Sequence, residues 1–193
     1  MKIKSIQFVI ACMPFLFACG NGSNNAINNK AQDDQKVIIA AILDSFNVAA
    51  ANADYKRYFA FYTDDAIFIG TDATERWNKN DFMVWSKPFF DKKRTWNFTA
   101  LQRQVYLSED GNIAWFDELL NTQMKICRGS GVLIKQNQSW KIQQYVLSTT
   151  IPNNIIDTIV ALKSPLESPL IQELQKSSSH LACRRASLTN PNL

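Results

Sequence analysis

The sequence predicts an α+β domain, with helices gathered on one face of an antiparallel sheet. Three observations carry this. Residues 33–52 repeat their apolar positions at helical spacing. A second helical pattern covers residues 79–91. Four β-type segments then follow in a row, from Trp96 to Ser148, with no helix between them.

In the first helix the expected apolar face is Val37, Ile38, Ala41, Ile42, Ser45, Phe46 and Ala49. Asp33 and Asp34 favour its start through capping and the helix dipole. Asp54 is placed to cap a short second helix carrying Tyr55, Tyr58, Phe59 and Tyr62. Ala66 to Ile69 is a short apolar strand ended by Gly70. The helix over 79–91 would bury Phe82, Trp85, Phe89 and Phe90, with a kink or early end at Pro88.

The first long strand, Trp96 to Leu107, ends at Glu109-Asp110-Gly111-Asn112, a hairpin turn signal. Ile113 to Thr122 is the next strand. Gly129 to Ile134 follows, and Trp140 to Ser148 closes the sheet after the polar turn at Asn137-Gln138. Past Pro152, Ile155 to Leu162 reads as one or two helical turns. Residues 163–193 are rich in Ser and Leu and broken by Pro165 and Pro169, so a largely disordered tail is expected there.

The N-terminus has its own pattern. Lys2 and Lys4 precede a mostly apolar run from Ile6 to Phe17, which a small residue and a cysteine close. That is the order of a secretory signal, and the run is too short to span a bilayer comfortably. Leu16-Phe17-Ala18-Cys19 resembles the lipobox of bacterial lipoproteins, in which the cysteine becomes the acylated first residue. The resemblance implies a signal peptide over 1–18, a lipid on Cys19 and a membrane-anchored protein facing the periplasm. Gly20 and Asn21 lack the Asp that retains such proteins at an inner membrane, so the outer membrane is the expected address. Residues 19–32, rich in Gly, Ser and Asn, then read as a flexible tether, and residues 33–162 as the folded domain.

Composition excludes some function classes. Removing residues 1–18 takes two lysines and no acid, so the formal net charge of +4 becomes +2. No basic face for nucleic acid is expected from that balance. Five Trp and twelve Phe point instead to a large core or a lined pocket. Cys127 is read as a small buried hydrophobe on a strand and Cys183 as part of the tail. Export would also allow the two to form a disulfide. The single histidine, His180, falls in the tail. No His-x-x-x-His, paired cysteines at ligand spacing or Gly-x-Ser-x-Gly is present, so no metal, cofactor or serine nucleophile is expected.

The order of elements and several strings resemble the SnoaL-like branch of the nuclear transport factor 2-like superfamily. The strings are Tyr62-Thr63-Asp64-Asp65-Ala66, Phe68-Ile69-Gly70-Thr71-Asp72, Glu75-Arg76-Trp77, Ala114-Trp115-Phe116-Asp117-Glu118, Arg128-Gly129-Ser130-Gly131-Val132 and Trp140-Lys141-Ile142. The resemblance covers roughly residues 33–152. It implies a cone, in which N-terminal helices pack on the concave face of a curved antiparallel sheet and leave a pocket between. It also implies a homodimer through the outer sheet face.

Because this fold hosts isomerases, cyclases, dehydratases and binding modules, the site must decide the chemistry. Strand alternation puts Asp117 and Glu118 on opposite faces, so one carboxylate enters the pocket. By analogy with related sheets Glu118 is the inward one and the candidate acid–base residue, with Asp117 as the alternative. Arg128 is the expected partner of Glu118, as a ligand anchor or a structural ion pair. Asp64, Asp65 and Asp72 read as turn-formers. Neither the Tyr–Asp constellation of ketosteroid isomerase nor the Asp–His pattern of related dehydratases is matched. The aromatic set Tyr62, Trp77, Trp85, Phe90, Trp96 and Tyr145 is the remaining clue, with Trp77 and Tyr145 foremost as pocket-liners. The resulting expectation is a domain binding a small, largely apolar ligand. The alternatives are an acid–base enzyme using Glu118 and a partner-binding domain using the outer sheet face.

Overall fold

The structure, a computed structural model, describes the backbone of residues 21–189 and the side chains of residues 30–177. Cys19 and the signal segment lie outside the described residues, as do the side chains of His180 and Cys183. Among the described residues, no helix is long and apolar enough to cross a membrane.

Helix α1 (Asn21–Ala51) runs through the segment expected to be a tether. After Gly22 that segment contains no Gly or Pro, so no residue in it breaks a helix. The buried stripe of α1 is Ile39, Leu43, Phe46 and Ala50, rotated by about one residue from the expected face. Val37 and Ile38 are exposed instead. Both stripes have helical spacing, and the aromatic contacts of Phe46 select between them. Its ring stacks on Tyr58 at 4.5 Å and lies 5.4 Å from Tyr62 and from Tyr145.

Helix α2 (Tyr55–Ala60) begins where Arg57 N donates to the Asp54 side chain at 3.0 Å. Strand β1 (Tyr62–Ile69) is twice the length expected, and a short strand β2 (Arg76–Asn78) pairs antiparallel with its end. Helix α3 (Lys79–Asp91) is capped by Asn78, which accepts from Asp81 N at 2.9 Å. Pro88 sits one turn before its end, where little of the helical ladder is lost.

Strands β3 (Thr99–Leu107), β4 (Ile113–Thr122), β5 (Lys125–Gln136) and β6 (Ser139–Thr149) form an antiparallel meander. The β3–β4 turn uses Gly111 at φ +67 and Asp110, which accepts from Asn112 N and Nδ2. The β5–β6 turn puts Asn137 and Gln138 both at positive φ, the two-residue geometry that suits strand twist. The six strands are ordered β2-β1-β6-β5-β4-β3. One pairing breaks the expected antiparallel pattern: β1 runs parallel to β6.

Alternation decides what faces the helices. Ala114, Phe116, Glu118 and Leu120 of β4 are buried on the concave side, with Cys127 and Leu133 of β5 and Ile142, Tyr145 and Leu147 of β6. Cys127 is a free, buried thiol. Gly129 and Gly131 are where side chains crowd the sheet. A Cβ at Gly129 would lie 2.7 Å from the Tyr145 hydroxyl, and one at Gly131 would lie 2.2 Å from the Gln144 carbonyl.

After a 3-10 turn (Asn153–Ile155), helix α4 (Ile156–Thr189) replaces the expected disordered tail. Pro165 and Pro169 each forfeit one helical bond but do not end it. The intervening Leu, Glu, Gln and Lys residues are strong helix formers, and Lys163–Glu167 adds an i,i+4 pair at 3.1 Å. Through residue 177 nearly all its side chains are exposed or half-exposed, Leu162, Leu166 and Leu174 among them.

Candidate ligand cavity

A cavity of about 200 Å³ opens between α3 and the concave sheet. Trp85 and Phe82 reach it from α3, Trp77 from β2, Phe68 from the end of β1, Tyr145 from β6, and Trp96 from the loop after α3. The rings lie nearly parallel in succession. Trp85 stacks on Trp77 at 4.8 Å, Phe82 on Phe68 at 4.1 Å with 8° between planes, and Phe68 on Tyr145 at 5.9 Å with 2°. Polar groups are few. Thr71, Glu75 and Gln123 stand at the wall, and the hydroxyl-bearing rings of Tyr58 and Tyr145 form part of the floor.

Behind Tyr145 lies a sealed polar group. The Tyr145 hydroxyl donates to Glu118 Oε1 at 3.3 Å. Arg103 Nε donates to Glu118 Oε2 at 2.8 Å. Arg103 Nη2 lies 2.7 Å from the same oxygen, off the line of a hydrogen bond, so that contact is one of charge. Arg103 Nη1 donates to Ala40 O and Asp44 Oδ1 of α1, each at 2.8 Å. The Glu118 side chain is 1% exposed. Burial pushes its carboxyl above the ordinary value, against the pull of Arg103 and the Tyr145 bond. For Arg103 burial works downward, but Glu118 and Asp44 outweigh it and hold the guanidinium charged. The Tyr145 phenol is pushed well up by burial and by the neighbouring Glu118 charge. Tyr58 and Tyr62, bonded hydroxyl to hydroxyl at 3.2 Å, are raised by burial too. All three tyrosines are therefore neutral donors or acceptors at ordinary pH.

Four of the residues expected to hold a ligand, Trp77, Trp85, Trp96 and Tyr145, do line the cavity. Three do not. Glu118 faces inward but is covered by Tyr145, so its carboxylate does not reach the cavity wall. Tyr62 is buried beneath Tyr58. Arg128 is on the outer face, beside Asp117 at 3.8 Å, with both side chains about half exposed. The reason is parity: Arg128 pairs across from Leu119, one residue off Glu118, and one residue reverses the face. Phe90 packs against Tyr55, Tyr58 and Trp96 in the core.

Arg103 and Glu75 were missed in the sequence. Arg103 had a signal. Counting equal steps outward from the β3–β4 turn puts Leu107 opposite Ala114 and Arg103 opposite Glu118. Glu75 had none, since its place depends on the loop joining β1 to β2. There Gly70 N donates to Glu75 O at 2.9 Å, and Asp72 N donates to Glu75 Oε2 at 3.2 Å.

A sequence profile described as the SnoaL-like domain matches residues 39–152, more than half of the chain. The chain belongs to the SnoaL-like family. No curated protein is significantly similar to it in sequence. Among solved structures, a cystatin-like-fold domain of unknown function from Nostoc punctiforme shares 12% identity. The match covers 75% of this chain and 96% of the other, with a TM-score of 0.54. The association domain of C. elegans CaMKII shares 16% identity over 62% of this chain and 98% of its own, with a TM-score of 0.53. A nuclear transport factor 2-like protein of unknown function from Pseudomonas putida shares 14% identity over 65% of this chain and 90% of its own, with a TM-score of 0.52. At these identities the likeness is one of fold. The SnoaL-like portion spans α1 from Ile39 through β6 and includes every residue lining the cavity.

Proposed function

We propose that this SnoaL-like protein is a lipid-anchored, extracytoplasmic binding module that holds a small, largely apolar ligand in the cavity beneath α3. The observation that carries the reading is the wall itself, made of three indoles and four phenyl rings with few polar groups. The enzyme alternative is less well supported. Its candidate base, Glu118, is bonded to Arg103 and Tyr145, is 1% exposed and is not part of the cavity lining. Trp77, Trp85 and Trp96 make intrinsic fluorescence a direct reporter. Titration with small aromatic ligands should quench it saturably, and a Phe82→Trp change that fills the cavity should abolish the response. A linear, non-saturating response in the wild type would count against the reading.

Anchoring rests on Leu16-Phe17-Ala18-Cys19. One lipid chain holds only marginally, and stable attachment takes more than one. Cys19→Ala should move the protein from the membrane to the soluble fraction and remove the lipid mass. Persistence of both in the variant would refute the anchor.

A second reading concerns the outer sheet face. Tyr106 and Trp115 stack there at 5.7 Å while both stay more than 40% exposed, with Ile113 exposed two residues along the same strand. Such a surface suits a homodimer through the sheet. Sedimentation of the wild type and Trp115→Arg tests it: a dimer that the substitution dissociates supports the reading, and a monomeric wild type removes it.

A further inference from the structure

Glu75 is the one charged side chain in a cavity wall that is otherwise apolar or neutral. Glu75 folds back over Gly70, whose missing Cβ makes the space: an added Cβ would lie 2.2 Å from Glu75 Oε2. Asp72 N donates to that same oxygen. The carboxylate is thus held in place from two sides at the cavity wall. Among the described residues no Lys or Arg forms an ion pair with it. The other polar side chains of the wall, Thr71 and Gln123 and the tyrosine hydroxyls, are neutral.

Each class of ligand meets this arrangement differently. An anion would be repelled by Glu75 and find no cation in the wall. A neutral ligand would displace water from Glu75 and return at most one hydrogen bond from an uncharged donor. An ammonium group supplies both missing terms, since it pairs with the carboxylate and is attracted to the faces of indole rings. Size sets a further bound. An apolar cavity of ~150 Å³ takes benzene, so about 200 Å³ leaves room for one ring and a short arm.

We propose that the cavity selects a small organic cation, an ammonium carried on a single apolar ring or a body of that size. Glu75 serves as the counter-ion and the indoles of Trp77, Trp85 and Trp96 as the wall. This rests on the reading of the cavity as a ligand site.

The test uses three probes of one shape: 2-phenylethylammonium, 2-phenylethanol and 3-phenylpropanoate. Each is titrated into the full chain in detergent, with tryptophan fluorescence and melting temperature as readouts. The ammonium should bind about tenfold tighter than the alcohol, and the carboxylate weakest of the three. Glu75→Gln keeps an oxygen for Asp72 N and should bring the ammonium down to the affinity of the alcohol. Trp85→Ala, on the exposed side of the wall, should weaken the ammonium more than the alcohol. Equal binding of ammonium and alcohol to the wild type would overturn the inference while leaving the ligand cavity intact. A preference that survives Glu75→Gln in a folded variant would overturn the role of Glu75. Failure of all three probes would overturn both the inference and the cavity reading on which it rests.

Discussion

Arg103→Met removes the cation from the sealed polar group while keeping most of the volume of the side chain. Glu118, 1% exposed, would keep only the Tyr145 hydroxyl. Breaking a buried ion pair by removing one partner costs ~3–5 kcal/mol. For a chain of this size each kcal/mol lowers the melting temperature by about 2–4 °C, so a fall on the order of 10 °C is expected. The loss should depend on pH. Burial already raises the Glu118 carboxyl, and without Arg103 it rises further. A carboxyl raised in the folded state carries no penalty below its unfolded value of about 4.3, where both states are protonated. The penalty grows as pH rises through the folded value. The gap between wild type and variant should therefore be widest near neutral pH and narrow toward about pH 4. The assay is chemical denaturation at both pH values for wild type, Arg103→Met, Glu118→Gln and the double variant. If the stranded charge is the cause, Glu118→Gln should restore much of the stability lost by Arg103→Met. If the loss is the same in both backgrounds, it comes from the bonds of Arg103 to Ala40 and Asp44, and the account of Glu118 as a stranded charge fails.

Gly129→Ala should cost ~1–3 kcal/mol in denaturant unfolding, since its Cβ would meet the Tyr145 hydroxyl at 2.7 Å and Glu118 Oε1 at 2.9 Å. A neutral result would mean that the sheet yields there. Truncation after Ser164 should leave the melting temperature nearly unchanged, because α4 beyond it buries little against the domain; a large drop would show that α4 docks. Tyr145→Phe should keep the cavity wall but remove a bond to Glu118, lowering stability by about 1–2 kcal/mol with probe affinity little changed. A selective loss of affinity would instead assign the hydroxyl to the ligand.

The meander was legible because its turns announce themselves. Gly111 after Asp110, and the pair Asn137-Gln138, fix where chain direction reverses, and period-two alternation then sets each side chain's face. That is why the bounds of Ile113 to Thr122 are readable and why one of Asp117 and Glu118 must face inward; the choice of Glu118 comes from the likeness to related sheets, and its burial agrees. The same parity, carried across the β4–β5 turn, would have sent Arg128 outward and returned Arg103 as the partner. The helix over 79–91 was legible for a similar reason: Asn78 caps it and its aromatic residues keep helical spacing. The rest depended on longer-range or weaker terms. β2 is three residues long and exists only because β1 offers an edge. The charge at the cavity wall depends on a loop that folds Glu75 onto Gly70, and no periodicity encodes that. In α4 the summed propensity of many residues outweighs two prolines, although each proline taken singly reads as a breaker.

The buried pair has a use that needs no ligand. Arg103 and Glu118 face each other directly across β3 and β4. A slip of one residue would turn Glu118 to the outer face or leave Arg103 buried without it, and either strands a charge. The apolar positions of β3 alone would not resist such a slip strongly, since Ala100, Val105 and Leu107 are only half-buried and Leu101 is exposed. The bond from Arg103 Nη1 to Ala40 O then ties the chosen register to α1. The pair thus sets the position of the β3–β4 hairpin relative to α1, and through Tyr145 it sets one ring of the cavity wall. Its chemistry is spent on that geometry, and the group left free to meet a ligand is Glu75.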